Sequence, residues 1–183
     1  MNEEPLLKAI LDELKAARAA QTPVPLGFGS PPKARFIYAN RQYPNCLWYF
    51  WNNAKNEHEP IEHTALTGWI EKLEIETKEF RGKTESKVNL TLRADKLYVI
   101  QSGSDTLFGR GLLHTLAKLP QEAFRHPIMI AVEAGETDQV LFCRLYNPAT
   151  GKSVFAPYPD DADWNTITQK AITKIQRAHE ASA

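Results

Sequence analysis

No apolar run in this chain approaches the roughly 18 residues that would cross a bilayer as a helix. The N-terminus, MNEEP, has no basic stretch followed by an apolar one, so a signal peptide is not expected. Cysteine is scarce. Cys46 and Cys143 are the only two in 183 residues, too few for a disulfide framework and not spaced as zinc ligands. A reducing cytoplasm is the expected compartment. Net charge is missing too, since 22 Lys and Arg balance 22 Asp and Glu. Internal repeats and low-complexity tracts are absent. What is present is a chain 43% hydrophobic and 24% charged, ordinary for a globular protein long enough to bury a core.

Catalytic signatures are also lacking. There is no G-x-S-x-G. Gly151-Lys152-Ser153 ends like a phosphate loop, but position 146 is Tyr where that loop needs Gly. Gly109-Arg110-Gly111 is not followed by a dinucleotide fingerprint. Asp160, Asp161 and Asp163 precede a helix, where capping and the helix dipole explain them. Cys46, His58 and His63 fit no zinc spacing. No catalytic residue, metal or cofactor is expected, and the chain is not read as an enzyme.

The zero net charge is a sum of opposed segments. Lys33 to Lys55 holds four basic residues and no acidic one. Arg81 to Lys118 holds seven basic against three acidic, and Asn56 to Phe80 two basic against seven acidic. A local basic surface is therefore permitted.

Residues 1–20 predict an amphipathic helix. Pro5 suits its first turn, and Leu7, Ile10, Leu11 and Leu14 fall on one face. That face must pack on the domain or on a partner subunit, which makes homo-oligomerisation through this helix an expectation. Residues 21–34 form an uncharged Pro/Gly linker apart from Lys33. Residues 35–160 are read as the main domain, led by a hairpin at 35–52. Asp163 caps a C-terminal helix within 161–183.

Within the domain, 64–80 predicts a long strand whose apolar parity flips around Gly68 to Lys72, the mark of a bulge or kink. Lys87 to Arg93 alternates: Val88, Leu90 and Leu92 point one way, while Lys87, Asn89, Thr91 and Arg93 point the other. Leu97 to Gln101 is a third strand, 105–119 a helix, and 127–132 and 139–146 two more strands. Three strands, a helix and two strands, with the first strand bent, predict a mainly β, five-stranded OB-like barrel flanked by helices.

The pattern TALTGWIEKLEIETKEFRGKTESKVNLTLRADKLYVIQSG, followed by the helix LFGRGLLHTLAKL, resembles the OB-fold single-stranded-DNA-binding proteins of phages and bacteria. The resemblance covers roughly residues 64–146 and is one of fold pattern. It implies sequence-non-specific binding of single-stranded DNA, or of RNA, with roles in replication and repair. The aspartate-rich tail closing on Pro-Phe that is typical of that class is not in this sequence, so tail-mediated recruitment is not expected.

On an OB barrel the outward side chains of the second and third strands face the oligonucleotide. The candidate site is then Lys87, Asn89, Thr91 and Arg93, with Arg81 and Lys83 in the adjoining hairpin. Trp48, Phe50, Trp69 and Tyr98 are the candidate stacking platforms. The alternative is a protein-interaction or oligomerisation module that binds no nucleic acid. One stretch leaves the choice of platforms open. In Cys46-Leu-Trp-Tyr-Phe-Trp51, strand alternation puts Tyr49 and Trp51 on one face and Trp48 and Phe50 on the other. Only one set can be core.

Overall fold

The computed structural model of the chain describes residues 7–13, 27–80 and 82–180. Residues 1–31 and 32–183 are two separate compact units. In the first, residues 7–13 are helical (α1), and Leu7, Ile10 and Leu11 are exposed. The remainder of the expected helix, including Leu14, and linker residues 21–26 lie outside the described residues.

The second unit is mainly β. Strands β1 (Arg35–Ala39), β2 (Trp48–Asn52) and β3 (Glu57–Pro60) precede β4 (Ala65–Phe80), β5 (Lys83–Arg93) and β6 (Leu97–Gly103). Helix α2 (Leu107–Lys118) and a 3-10 turn (Gln121–Arg125) lead to β7 (Ile128–Ala134), β8 (Leu141–Tyr146) and helix α3 (Trp164–Glu180). All eight strands join one curled sheet in the order β3-β2-β1-β6-β5-β4-β7-β8. Every neighbouring pair is antiparallel except β1 with β6.

β4 makes the bend. Its first residues pair with β7 and the rest with β5. The register shifts between Ile70 and Lys72, leaving Glu71 as the extra residue. The buried parity accordingly moves from Ile70 to Leu73, the flip expected around Gly68 to Lys72. Gly68 lies where β5 ends, and a Cβ there would stand 2.9 Å from the Arg93 carbonyl oxygen.

The strand order around α2 follows the sequence reading, but the five-stranded barrel is not matched in detail. Among the described residues no strand pairing joins β6 to β8. The outer edge of β6 is taken instead by β1, in parallel. The parallel partner comes from some sixty residues upstream, so no turn signal announces it. β3 also escapes the sequence reading: EHEP is polar and shows no apolar alternation, and it is extended because β2 offers it a ladder.

The core lies between the concave side of the sheet and the two long helices. Val88, Leu90, Leu92 and Ile100 from the sheet meet Phe108, Leu112, Leu116 and Ile175 from the helices, all essentially inaccessible. Thr106 caps α2 by accepting from the Gly109 amide at 3.0 Å. At the other end of α2, the Lys174 ammonium donates to the Ala117 and Leu119 carbonyls, joining α3 to the end of α2. Burial is the main cause that lowers the Lys174 pKa, helped by Lys170 and Lys118.

Asp163 caps α3, accepting from the Asn165 and Thr166 amides at 3.1 and 3.2 Å and from the Thr166 hydroxyl. These donors hold its carboxyl below the ordinary range, the hydroxyl most of all. A depressed folded-state value stabilises the fold above the pH where an unfolded Asp titrates, and that contribution drains as pH falls through the folded value. Asp163→Asn keeps the cap but not the charge. Its urea midpoint should therefore fall less steeply than the wild type's between about pH 5 and pH 3; parallel slopes would remove Asp163 from the acid response.

Candidate nucleic-acid interface

The two faces of the β1–β2 hairpin are settled by register. Ile37 lies opposite Phe50 and Ala39 opposite Trp48, while Tyr38 lies opposite Tyr49. The aliphatic positions of β1 face the core and take Trp48 and Phe50 with them. Trp48 is 1% exposed, and its indole N–H donates to the His63 carbonyl at 2.6 Å. Phe50 packs at the margin of the core beside Tyr98, with the Arg35 guanidinium 3.4 Å above its ring. Tyr98 is buried on the same side, and its hydroxyl donates to Asp95. Three of the four expected platforms thus point inward.

The other set of aromatics forms a band on the outer face of the sheet, opposite the side that packs on α2 and α3. Phe36 stacks beside Tyr38 with centroids 6.3 Å apart, and Tyr38 stacks on Tyr49 at 5.4 Å. Tyr43 meets Tyr49 edge-on and lies flat on the His58 ring at 3.7 Å. Trp51 shares the Tyr49 side of β2 by alternation and lies opposite His58 on β3. The band is graded in exposure. Tyr49 is buried beneath its neighbours, and its hydroxyl accepts from Asn40 and donates to Gln42. Burial, above all, raises its pKa. Phe36 is 39% exposed, and Tyr38 and Trp51 are partly so.

A polar row continues the band across the sheet. Tyr38 pairs with Gln101, Gln101 with Asn89, and Asn89 with Glu74. The Gln101 amide donates to Asn89 at 2.8 Å, and the Asn89 amide donates to Glu76. Thr91 and Lys87 flank Asn89 on this face. Trp69 and Arg93 form a separate outpost four residues along β5, about 13 Å away at the strand rise. Trp69 is 41% exposed, with the Arg93 guanidinium 5.1 Å from its ring centroid. Lys83 shares the parity of Lys87 but stands at the far hairpin end. Arg81 lies outside the described residues.

Four cations of this face are not free. Lys87 pairs with Glu85 at 3.1 Å, Arg93 with Glu71 at 2.6 Å, Lys72 with Glu74 and Lys78 with Glu76. The Lys78 ammonium and the Asn89 amide hold the Glu76 carboxyl below its usual range, and Glu76 in turn raises Lys78. These are exposed pairs of modest strength, yet a phosphate must compete with a carboxylate at each. The face can therefore offer stacking and hydrogen bonding more readily than charge.

At Gly103 the face dips. A cleft of about 420 Å³ opens there, lined by Tyr38, Asn40, Glu85, Lys87, Gln101 and Thr106, and Thr106 lies so close that a Cβ at Gly103 would stand 2.7 Å from its methyl carbon. An aromatic wall, a lysine and three hydrogen-bonding side chains converge there. No family model, curated protein or solved structure matches this chain.

Phe36 and Tyr38 escaped the sequence reading, which left Tyr49 and Trp51 open as one of the two faces of β2, although a signal for the β1 pair existed. In Arg35-Phe-Ile-Tyr-Ala39 the aliphatic Ile37 and Ala39 alternate with the aromatic Phe36 and Tyr38. Aliphatic residues reach full burial more readily than large aromatics with a polar end, and that asymmetry fixes the inner face. Cys46 and His63 belong to the packing around Trp48. The Cys46 thiol donates to the Trp48 carbonyl, and burial raises its pKa.

Proposed function

We propose that this protein binds single-stranded nucleic acid without sequence preference on the outer face of β1, β2, β5 and β6. In this reading β4–β8 act as an OB-like core opened at the β6 edge, where β1–β3 extend the platform. One observation carries it: a solvent-facing aromatic band, Phe36, Tyr38 and Trp51, runs directly into the amide row Gln101–Asn89. Every base has a π-face, so stacking is sequence-tolerant, while side-chain amides and Lys87 can satisfy base edges and backbone. The convergence of both elements at the Gly103 cleft gives one base a place to seat.

The carboxylate-paired cations shape the expected salt response. With about two or three phosphates neutralised, log K should fall against log salt with a slope of about −1.4 to −2. Titration of oligo-dT into the full chain, followed by quenching of Trp51 and Trp69 fluorescence, measures this. A saturable signal with that shallow slope supports the reading. Its absence at low salt overturns it. Absence together with a concentration-dependent mass in light scattering favours a second reading, self-association through the exposed Leu7, Ile10 and Leu11 of α1.

A further inference from the structure

Arg110 differs from four other arginines of this unit in its lack of a carboxylate partner, and from the exposed Arg125 and Arg177, which hold no carboxylate among the described residues either, in being partly shielded from solvent. Arg35, Arg41, Arg93 and Arg144 each hold a carboxylate. Arg110 holds none among the described residues. It is half-buried in α2, and its Nε, like that of Arg41, is inaccessible and has no hydrogen-bond partner among the described residues. A buried guanidinium donor left unsatisfied is costly, and native structures keep few of them. The ring of Trp164 lies 5.3 Å from its Cζ and holds the group in place.

Arg110 lines an open cavity of about 400 Å³ between α2, α3 and the sheet, where Ile75 of β4 and Ser86 of β5 also face it. Asn165, Thr168 and Gln169 line the same space, and their side chains make no hydrogen bond among the described residues. Trp164 and Leu113 add an apolar wall. The cavity thus offers a fixed fork of N–H donors, uncommitted neutral donors and a flat apolar surface. A guanidinium binds oxyanions in a bidentate manner. The several additional donors suit a group with more acceptor oxygens than a carboxylate, and the apolar wall suits an organic carrier.

We propose that this cavity binds a phosphomonoester, with Arg110 as the anion-binding residue. Asp105 also lines the cavity. It forms no ion pair with Arg110, and its charge opposes an incoming dianion, so it tunes affinity downward. Two sources share this chemistry: a free mononucleotide, and the phosphorylated end of a strand. The second lies close at hand, because this cavity adjoins the outer-face cleft, with Ser86, Ser104 and Asp105 lining both. The proposal does not depend on nucleic-acid binding by the aromatic band.

Calorimetric titration of the full chain at fixed ionic strength tests it, with inorganic phosphate, thymidine 5′-monophosphate and thymidine as probes. Both phosphates should bind saturably and thymidine should not. Arg110→Met should weaken binding about tenfold or more, and Asp105→Asn should tighten it. Should Arg110→Met lose its native circular dichroism, the double change Thr168→Ala, Gln169→Ala serves instead and should also weaken binding. Thymidine binding as well as its phosphate, or unchanged affinity in folded Arg110→Met or in the double variant, would overturn the proposal. Two further arms separate the sources. Tighter binding of 5′-phosphorylated oligo-dT than of its 5′-hydroxyl form, lost on Arg110→Met, assigns the strand end. Equal oligonucleotide binding, with the mononucleotide still bound, assigns the free nucleotide.

Discussion

Trp48→Ala is expected to destabilise the fold by about 3–5 kcal/mol, the range for removing a fully buried large aromatic. Trp48 belongs to the same core cluster as Ile37, Leu90 and Ile100, which sit in the paired strands β1, β5 and β6, and such strands cannot collapse far into the space it leaves. The substitution also strips a partner from the His63 carbonyl. Against a typical total of about 5–15 kcal/mol, such a loss brings the domain close to unfolding at ambient temperature. Trp51→Ala, three residues on, should change stability by less than about 1 kcal/mol, as expected for a partly exposed site. The midpoint and slope of urea unfolding measure both. Equal losses for the two would mean that both faces of β2 are core, and would remove the outer band from the functional argument.

The combined change Phe36→Ala, Tyr38→Ala, Trp51→Ala should lower oligo-dT affinity at least about a hundredfold. Stacking contributes about 1–3 kcal/mol per base, and three platforms are removed. The effects will not add, because Phe36 and Tyr38 touch. The variant should keep its core, since none of the three is fully buried. Circular dichroism and the urea midpoint check that, and fluorescence anisotropy of a labelled oligonucleotide reads the affinity. Lys87→Ala should cost far less, about threefold or under, because Glu85 already engages its charge. Were Lys87→Ala to match the triple variant, phosphate neutralisation rather than stacking would be the principal contribution.

Much of the scaffold is written locally. Alternation in Lys87–Arg93 specifies a half-buried strand, and its inner residues Val88, Leu90 and Leu92 are all inaccessible. The parity flip in β4 announces its bulge because each side of a bulge must keep its apolar residues on one face. The apolar face Phe108, Leu112 and Leu116 of α2, with Leu119 at its C-cap, is buried as helical spacing requires. The N-cap of α2 shows the limit of such reading. The sequence offers Ser104 or Asp105 as the cap, but the chain leaving β6 places Thr106 there instead.

The site was less legible than the scaffold. Lys87 and Arg93 do lie on a solvent-facing strand surface, but their carboxylate partners come from β4 and from β5 itself, and only the assembled ladder brings Glu71 to Arg93 across 22 residues of chain. The platforms were harder still. By itself the sequence determined that Cys46-Leu-Trp-Tyr-Phe-Trp51 has two aromatic faces, because side chains alternate along any strand. Tertiary structure alone decided that Trp48 and Phe50 are inside and Tyr49 and Trp51 outside. That choice depends on β2 pairing with β1 and on β1 docking in parallel along β6. The second contact joins segments some sixty residues apart, and burial there is decided by what lies across the sheet rather than by any neighbour in sequence.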